Sequence, residues 1–198
     1  MLDEALIESV RNGNRYAFKT LFNIYENRVF RTAYLILRDR QYAEDVVQET
    51  FLQVYLKINN LKSIEAFDVW LYKITVNQCT NYQNKTKNVY SIELDDTLEK
   101  NIIHPLKDTY DTENRLIEKE TRQGIIHCMY SLPLKYRTVL TLFYYNELSI
   151  YEIAQISNCT EGTVKSRLFY GKKKLKKVLI NSGFQVNDME EEADYEVQ

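Results

Sequence analysis

The residue types best suited to contact nucleic acid are concentrated in one stretch, between Thr163 and Lys177. At about 100° per residue, four side chains share one stripe of a helix there: Thr163, Ser166, Arg167 and Tyr170. Such groups can hydrogen-bond to base edges, and the lysines that follow can neutralise phosphates. The same lysines would complement the dipole at a helix C-terminus, so a helical hairpin with a solvated basic face is the alternative.

Enzymatic chemistry has little support in this sequence. His104 and His127 are far apart, no glycine-rich phosphate loop is present, and no His, Cys or carboxylate set has ligand or triad spacing. The three cysteines, Cys79, Cys128 and Cys159, form no C-x-x-C pair, which argues against a disulfide framework or a zinc site. We therefore predict a protein that is not an enzyme and has no metal, cofactor or small-molecule substrate.

A predicted helix-turn-helix positions the basic stripe. Ser149 and Glu152 fit a capping box that starts one helix, the polar turn at residues 157–159 ends it, and Thr160 is the predicted N-cap of the next. The apolar residues of the two helices keep helical spacing and can pack on one another: Ile153, Ile156, Val164 and Leu168. This arrangement leaves the polar stripe free to enter a major groove.

A second candidate surface lies on a predicted helix over residues 43–58. Its apolar residues recur at helical spacing and are expected to form core: Ala43, Val47, Thr50, Phe51, Val54 and Ile58. The outward stripe is acidic and polar around one leucine: Asp45, Gln48, Glu49 and Leu52. Such a stripe suits docking on a partner's helix. It also suits plain solvation.

The composition and the apolar spacing predict an all-α protein, and a polar segment that interrupts this spacing predicts two small helical domains joined by a flexible linker. Only 5 Gly and 2 Pro are present, and apolar residues keep helical spacing through most of the chain. We predict domains at 1–84 and 114–180, a polar linker at 85–113, and an acidic tail at 181–198 that is expected to be disordered and solubilising. The predicted helix breaks in the first domain fall at residues 13–14, 38–39 and 59–63.

The net charge of -2 is misleading as a guide to partners. Six acidic residues lie in the last eighteen positions, where there is no Lys or Arg, and without them the remainder carries +4: Asp188, Glu190, Glu191, Glu192, Asp194 and Glu196. A nucleic-acid partner is thus compatible with the charge. No signal peptide and no run of about 20 apolar residues is visible, so we predict a cytoplasmic protein.

Three sequence motifs carry a resemblance to bacterial RNA polymerase sigma factors of the sigma-70 family. Residues 43–51 (AEDVVQETF) resemble region 2.2, and residues 66–77 (AFDVWLYKITVN) resemble regions 2.3 and 2.4. Residues 131–133, 148–154 and 161–168 resemble region 4. A polar linker stands where a folded region 3 would be and nothing precedes region 2 that could serve as region 1.1, which resembles the extracytoplasmic-function (ECF) group.

The resemblance implies roles for particular residues. It implies a surface that binds core RNA polymerase, formed by Asp45, Gln48, Glu49 and Leu52. It implies a surface that melts and reads the minus-ten element, formed by Asn60, Lys62, Ser63, Phe67, Trp70, Lys73 and Asn77, with the loop 60–65 as the wall of a pocket for a flipped base. It implies a surface for the minus-thirty-five element, formed by Thr163, Lys165, Ser166, Arg167, Phe169, Tyr170, Lys173 and Lys174. Tyr170 departs from the family, where many members have a basic residue.

The resemblance also implies partners: core RNA polymerase, promoter DNA and an anti-sigma factor, often membrane-anchored. The linker would thread the RNA exit channel, with Asp95, Asp96 and Glu99 in the path of RNA phosphates, although solvated coil explains those acids equally well. A self-sufficient helix-turn-helix regulator is the rival hypothesis, because it would share the last domain but would not need the motif at 43–51. A helical adaptor without DNA contact would leave the basic face unexplained.

Overall fold

The computed structural model describes residues 3–90 and 124–184, and all regular structure within these ranges is helical, as predicted. The helices are α1 Glu4–Arg11, α2 Arg15–Leu37, α3 Arg40–Lys57, α4 Phe67–Tyr90, α5 at residues 124–130, α6 Leu134–Leu140, α7 Ile150–Ser157 and α8 Glu161–Asn181. A 3-10 turn, Ile58–Asn60, follows α3, and a π-helical turn, Thr141–Tyr145, follows α6.

The helix ends follow from local chemistry. The side chains of Asp3, Asn14 and Asp39 accept hydrogen bonds from first-turn amides of α1, α2 and α3. Gly13 at φ 78° and Arg38 at φ 70° adopt the left-handed conformation where one helix stops and the next must turn. The predicted breaks at 13–14, 38–39 and 59–63 are confirmed, but α4 continues to Tyr90, past residue 84, where the polar composition suggested that the linker begins.

The N-terminal part, residues 3–90, packs α1 to α4 around an aromatic core. Leu21, Phe51 and Leu71 are almost fully buried within it. The Phe22 and Phe51 ring centroids are 4.6 Å apart, which ties α2 to α3. The six residues predicted as the buried face of α3 are all buried. This packing fixes the outward stripe of α3.

The C-terminal part, residues 124–184, contains the predicted helix-turn-helix. Ser149 and Glu152 form both hydrogen bonds of the capping box, and Thr160 accepts from the Thr163 amide at the start of α8. The four apolar residues predicted to join α7 and α8 are all buried in one cluster. Gly171 lets α8 approach α6, because a Cβ there would lie 3.3 Å from Leu140 Cδ1. The core therefore sets the rotation of α8 and turns its polar stripe outward.

The capping box yields a stability prediction. We expect Ser149→Ala to lower the free energy of unfolding by about 1 kcal/mol, because the Glu152 amide loses its acceptor at the start of α7. Urea unfolding followed by circular dichroism measures it. The control is Ser166→Ala at an exposed position within α8, where we expect a change below about 0.5 kcal/mol. Equal losses in the two variants would contradict this account of the cap.

The two parts pack directly on each other. Tyr72, Val76 and Cys79 on one face of α4 are buried in the same apolar cluster as α7 and α8. Burial raises the pKa of the Cys79 thiol to about 12. Asn146 Nδ2 donates to Thr32 Oγ1 at 2.8 Å, which adds a polar contact between the parts.

Arg137 is the main polar link between the two parts. Its guanidinium, in a residue only 4% exposed, donates to the carbonyl of Ile36 in α2 at 2.7 Å and to the carbonyls of Tyr130 and Leu132 at 3.1 Å. Burial, and to a lesser extent the charge of Arg38, lower the pKa of Arg137 to about 10. The group therefore stays charged at neutral pH, and three carbonyl oxygens compensate its burial.

Candidate protein and nucleic-acid interfaces

The polar stripe of α3 lies on the surface, as its spacing predicts. Gln48 and Glu49 are exposed and Asp45 is partly exposed. Leu52 is 49% exposed although it is aliphatic. Two further apolar side chains extend the stripe toward the end of the helix, Tyr55 at 50% and Leu56 at 63% exposure. Sequence reasoning missed these two, although Leu56 follows Leu52 by one helical turn.

The acidic end of the stripe contacts α4 through Tyr82. The Tyr82 and Tyr42 ring centroids lie 5.7 Å apart, and Lys85 Nζ lies 5.7 Å from the Tyr82 ring. Burial raises the pKa of the Tyr82 hydroxyl, and so do the nearby charges of Asp45 and Glu49. This contact orients the carboxylates at the edge shared by α3 and α4.

A second exposed stripe lies on α4. Lys73 and Asn77 are exposed, and Trp70 is partly buried, with its ring centroid 6.0 Å from that of Phe67. The indole is thus held by the core on one side and open to solvent on the other. An aromatic face held in this way, beside an amide and a lysine, can stack on a base and hold its phosphate.

Phe67 does not belong to this surface. It is 0% exposed and packs on Tyr25 with ring centroids 5.1 Å apart. It shares the core side of α4 with Leu71, which is also fully buried. The prediction that Phe67 contacts DNA is therefore wrong, because its ring has no solvent-facing surface.

The loop before α4 presents Asn60, Lys62 and Ser63 to solvent. The next two residues, Ile64 and Glu65, line a cavity of about 510 Å³ that is closed by α1, α2 and Asp68. Because Asp68 is two residues from Trp70, it points about 160° away from it around α4. Trp70 and the exposed residues Asn60, Lys62 and Ser63 do not line the cavity, whereas Ile64 and Glu65 of the same loop do.

The cavity wall is polar. Tyr25 donates a hydrogen bond to Asp68 Oδ1 at 2.8 Å, and Arg28 Nη1 lies 4.0 Å from Asp68 Oδ2. Burial and the hydrogen bond to Asp68 raise the pKa of the Tyr25 hydroxyl. The phenol therefore remains a hydrogen-bond donor at neutral pH.

The third surface is the outward side of α8. Ser166 and Tyr170 are exposed, and Thr163 and Arg167 are partly exposed. These four residues line an open groove of about 490 Å³ whose opposite wall comes from α6. Phe169 is 47% exposed beside Tyr170, and Lys165 is partly buried with contacts of its own.

The groove includes two side chains that sequence reasoning missed. Lys135 and Tyr136 of α6 line it, and the Lys135 and Lys174 ammonium groups lie 5.0 and 6.0 Å from the Tyr136 ring centroid. These contacts place two cations along one edge of the groove, where they can neutralise phosphates. Lys173 and Lys174 are both exposed on α8. No local sequence signal marked Lys135, because it belongs to the groove only through the α6–α8 packing.

Comparisons with known proteins identify the family. The family model described as "Sigma-70 region 2" matches residues 21–89, and that described as "Sigma-70, region 4" matches residues 122–175. The ECF RNA polymerase sigma-E factor of Haemophilus influenzae is 33% identical over 85% of this chain and 90% of its own length. The chain belongs to the ECF group of sigma-70 factors. The ECF RNA polymerase sigma factor SigW of Bacillus subtilis is 31% identical over 90% of this chain and 97% of its own length.

Two solved structures share the fold of this ECF sigma factor. The sigma factor RpoE from Bartonella quintana, solved in complex with the anti-sigma factor NepR, has a TM-score of 0.67 and 21% identity, and the match covers 82% of this chain and 96% of that one. CnrH, solved in complex with the cytosolic domain of CnrY, has a TM-score of 0.62 and 18% identity, and the match covers 90% of this chain and 97% of that one. At these identities the likeness establishes the fold.

As an ECF sigma factor, the protein is an alternative transcription initiation factor that acts with core RNA polymerase at promoters. The motifs at 43–51 and 66–77 lie inside the region 2 match, and the helix-turn-helix lies inside the region 4 match. The family identified from these motifs is thus confirmed.

Some features predicted for the sigma factor lie outside the described residues. Asp95, Asp96 and Glu99 of the linker are among them, and so is the acidic tail predicted at 181–198 except for its first four residues, of which Asn181 is the last residue of α8. Within residues 3–90 and 124–184, no group of three His, Cys, Asp or Glu side chains could hold a metal ion. In the same ranges, no helix combines the length and the apolar character needed to cross a membrane.

Proposed function

We propose that this sigma factor divides its work among three surfaces, named here by their helices. The α3 surface (Asp45, Gln48, Glu49, Leu52) binds core polymerase. The α4 surface (Asn60, Lys62, Ser63, Trp70, Lys73, Asn77) melts and reads the minus-ten element. The α8 surface (Thr163, Lys165, Ser166, Arg167, Phe169, Tyr170, Lys173, Lys174) binds the minus-thirty-five element.

The observation that supports this division is that each surface is the outward side of a helix whose opposite side is buried. Phe51 behind the α3 surface, Leu71 behind the α4 surface and Leu168 behind the α8 surface are each at most 5% exposed. Side chains on such helices are held in fixed directions, which favours recognition. The polymerase supplies the catalysis, so no catalytic residue is assigned to this chain.

The chain organisation follows the same division. We propose a region 2 domain at 1–84 with α4 extending beyond it, a linker from 85 to 113, a region 4 domain at 114–180 with α8 and the turn after it extending to 184, and an acidic tail over the rest of 181–198. The protein acts in the cytoplasm, where its polymerase and DNA are. Because RpoE from Bartonella quintana was solved in complex with the anti-sigma factor NepR, we also propose an anti-sigma factor for this chain.

The cavity of about 510 Å³ beside Ile64 and Glu65 offers little support for the predicted pocket for a flipped base. Trp70, Lys62 and Ser63 are not among the residues that line it. We therefore propose that an unpaired base is held on the outside of α4, between the indole and the exposed loop residues Lys62 and Ser63.

Leu52→Asp tests the polymerase surface. Leu52 is 49% exposed, so a carboxylate there is solvated and the fold is retained. In an interface, however, the carboxylate would be buried without a partner, and we expect the affinity for core polymerase to fall about 10-fold or more. Fluorescence anisotropy of labelled protein with core polymerase measures it.

The matched control is Ile24→Asp, at an aliphatic position on α2 with nearly the same exposure, 50%, that lines the cavity beside Ile64 and Glu65, which no residue of the α3 stripe lines. It should bind core polymerase like the wild type. If the two aspartate variants bind equally well, the α3 surface is not the polymerase contact.

A further inference from the structure

Charge is divided sharply along the end of this chain. Between Gly162 and Asn187 there are seven Lys or Arg residues and no Asp or Glu: Lys165, Arg167, Lys172, Lys173, Lys174, Lys176 and Lys177. Between Asp188 and Gln198 there are six Asp or Glu and no Lys or Arg. The basic block is almost entirely α8, and the acidic block follows it directly along the chain.

Three of the lysines continue the side of α8 that forms the groove. At about 100° per residue, Lys173, Lys174 and Lys177 lie within about 80° of Thr163 and in line with Ser166 and Tyr170. All three are exposed. Lys173 and Lys177 have no ion-pair partner among residues 3–90 and 124–184. The lysine patch, defined as Lys173, Lys174 and Lys177, is thus open to an anionic group.

The chain leaves α8 from a fixed point close to this patch. Gly183, at φ 83°, ends the helix, and the Phe184 amide donates to the Leu179 carbonyl at 3.0 Å. The Phe184 ring packs so closely on Gly124 of α5 that a Cβ at residue 124 would overlap it. The acidic segment therefore starts from the C-terminal end of α8 and not from a freely moving point.

The acidic segment is long enough to reach the patch. Along the helix, Lys173 lies about 14 Å from Ser182 and Lys177 about 8 Å, at about 1.5 Å per residue. From Phe184, an extended chain reaches about 13 Å at Asp188 and about 40 Å at Glu196. The lysine patch falls inside the range covered by the acids.

We propose that residues 188–196 dock on the lysine patch of α8 and compete with DNA phosphates for it. The segment is tethered, so its effective concentration at the patch is on the order of millimolar without any partner. Each exposed ion pair contributes little, and salt screens it, so the competition is modest and confined to low ionic strength. The effect on DNA rests on the proposed role of α8, whereas the docking itself does not.

Duplex binding at varied salt tests the competition. Three proteins are compared: the full chain, a chain truncated after Phe184, and a full-length chain with the six acids of the tail changed to Asn or Gln. In about 50 mM NaCl we expect the truncated and neutral-tail proteins to bind promoter duplex about 5-fold more tightly than the full chain, and all three to converge near 300 mM. Three superimposed curves at low salt would overturn the competition.

Lysine acylation read by mass spectrometry tests docking without DNA. A nearby carboxylate favours the charged, unreactive ammonium. We expect Lys173 and Lys177 to react about 2-fold more slowly in the full chain than in the neutral-tail protein, with Lys19 on α2 as an unchanged reference. Equal rates, or protection that grows with protein concentration and so comes from a second copy, would overturn docking of a chain's own tail.

Duplex binding and lysine acylation together show whether the docking of the tail or the proposed role of α8 is wrong. Lysine protection in the full chain together with no duplex binding by any of the three proteins would reject the proposed role of α8 and leave the docking intact. Duplex binding by all three without lysine protection would reject the docking and leave the role of α8 intact.

Discussion

Trp70→Ala is expected to lower promoter opening by about 10- to 100-fold while leaving the affinity for core polymerase within about 2-fold. The indole packs on Phe67 of the core on one side and is exposed on the other, in the same stripe as Lys73 and Asn77. A base that leaves the duplex loses its stacking on neighbouring bases, and stacking on the indole replaces part of that loss. Such base–aromatic stacking contributes about 1–3 kcal/mol per base, which Trp70→Ala removes. Permanganate reactivity of unpaired thymines in a complex of promoter, polymerase and protein measures opening.

A premelted template shows whether the Trp70→Ala defect comes from lost base stacking or from damage to the fold. If Trp70 acts by compensating for strand separation, a promoter with a mismatched bubble at the minus-ten element should restore much of the transcription lost by Trp70→Ala. Lys73→Ala, at an exposed position of the same stripe, should give a smaller loss because it removes one phosphate contact. Normal opening of duplex promoter by Trp70→Ala would contradict the role of the α4 surface.

Arg137→Met is expected to destabilise the packed chain by about 3 kcal/mol or more. The change removes a charged donor and leaves the Ile36, Tyr130 and Leu132 carbonyls without their partner. Lysine should not rescue the loss, because one ammonium cannot reproduce the planar donor geometry of a guanidinium. Urea unfolding measures the stability, and small-angle scattering measures whether the two parts separate.

Lys135→Met on the same helix is the control, since Lys135 is exposed and its loss should change stability by less than about 0.5 kcal/mol. Asn146→Ala removes one hydrogen bond between the two parts, because the Asn146 amide donates to Thr32 in the N-terminal part. Scattering from Asn146→Ala should therefore shift toward a larger radius of gyration with little loss of helix. An unchanged radius in both Arg137→Met and Asn146→Ala would show that these contacts do not hold the parts together.

Most of the fold could be predicted from local sequence patterns, namely helix caps and apolar spacing. The capping box at Ser149, the N-cap at Thr160 and the apolar spacing of α7 and α8 each depend on residues within one or two turns, so a single sequence contains the information. The packing of α4 against α7 joins residues more than seventy positions apart, such as Cys79 and Ile153, and no local pattern encodes such a contact. Arg137 illustrates the limit: its position in α6 gave no sign of a buried guanidinium that bonds to Ile36.

The candidate sites also divide into residues that local spacing predicts and residues that only tertiary packing brings into the site. The outward stripe of α3 could be predicted because one helical period separates core from surface, and the missed Leu56 obeys the same rule. Phe67 was misassigned because a family motif says which residues are shared, not which side of the helix each one faces. Lys135 was missed because it joins the α8 groove only through tertiary packing.

Run-off transcription with purified core polymerase tests whether this protein directs the polymerase to promoters. Genomic promoter fragments are transcribed by core polymerase with and without this protein, and its binding to core polymerase and to the same duplexes is measured in parallel. We expect discrete transcripts that require the protein, and a stable complex of the protein with core polymerase. No transcripts and no such complex, from a protein that binds the duplex sites unaided, would contradict this expectation and identify a self-sufficient helix-turn-helix regulator instead.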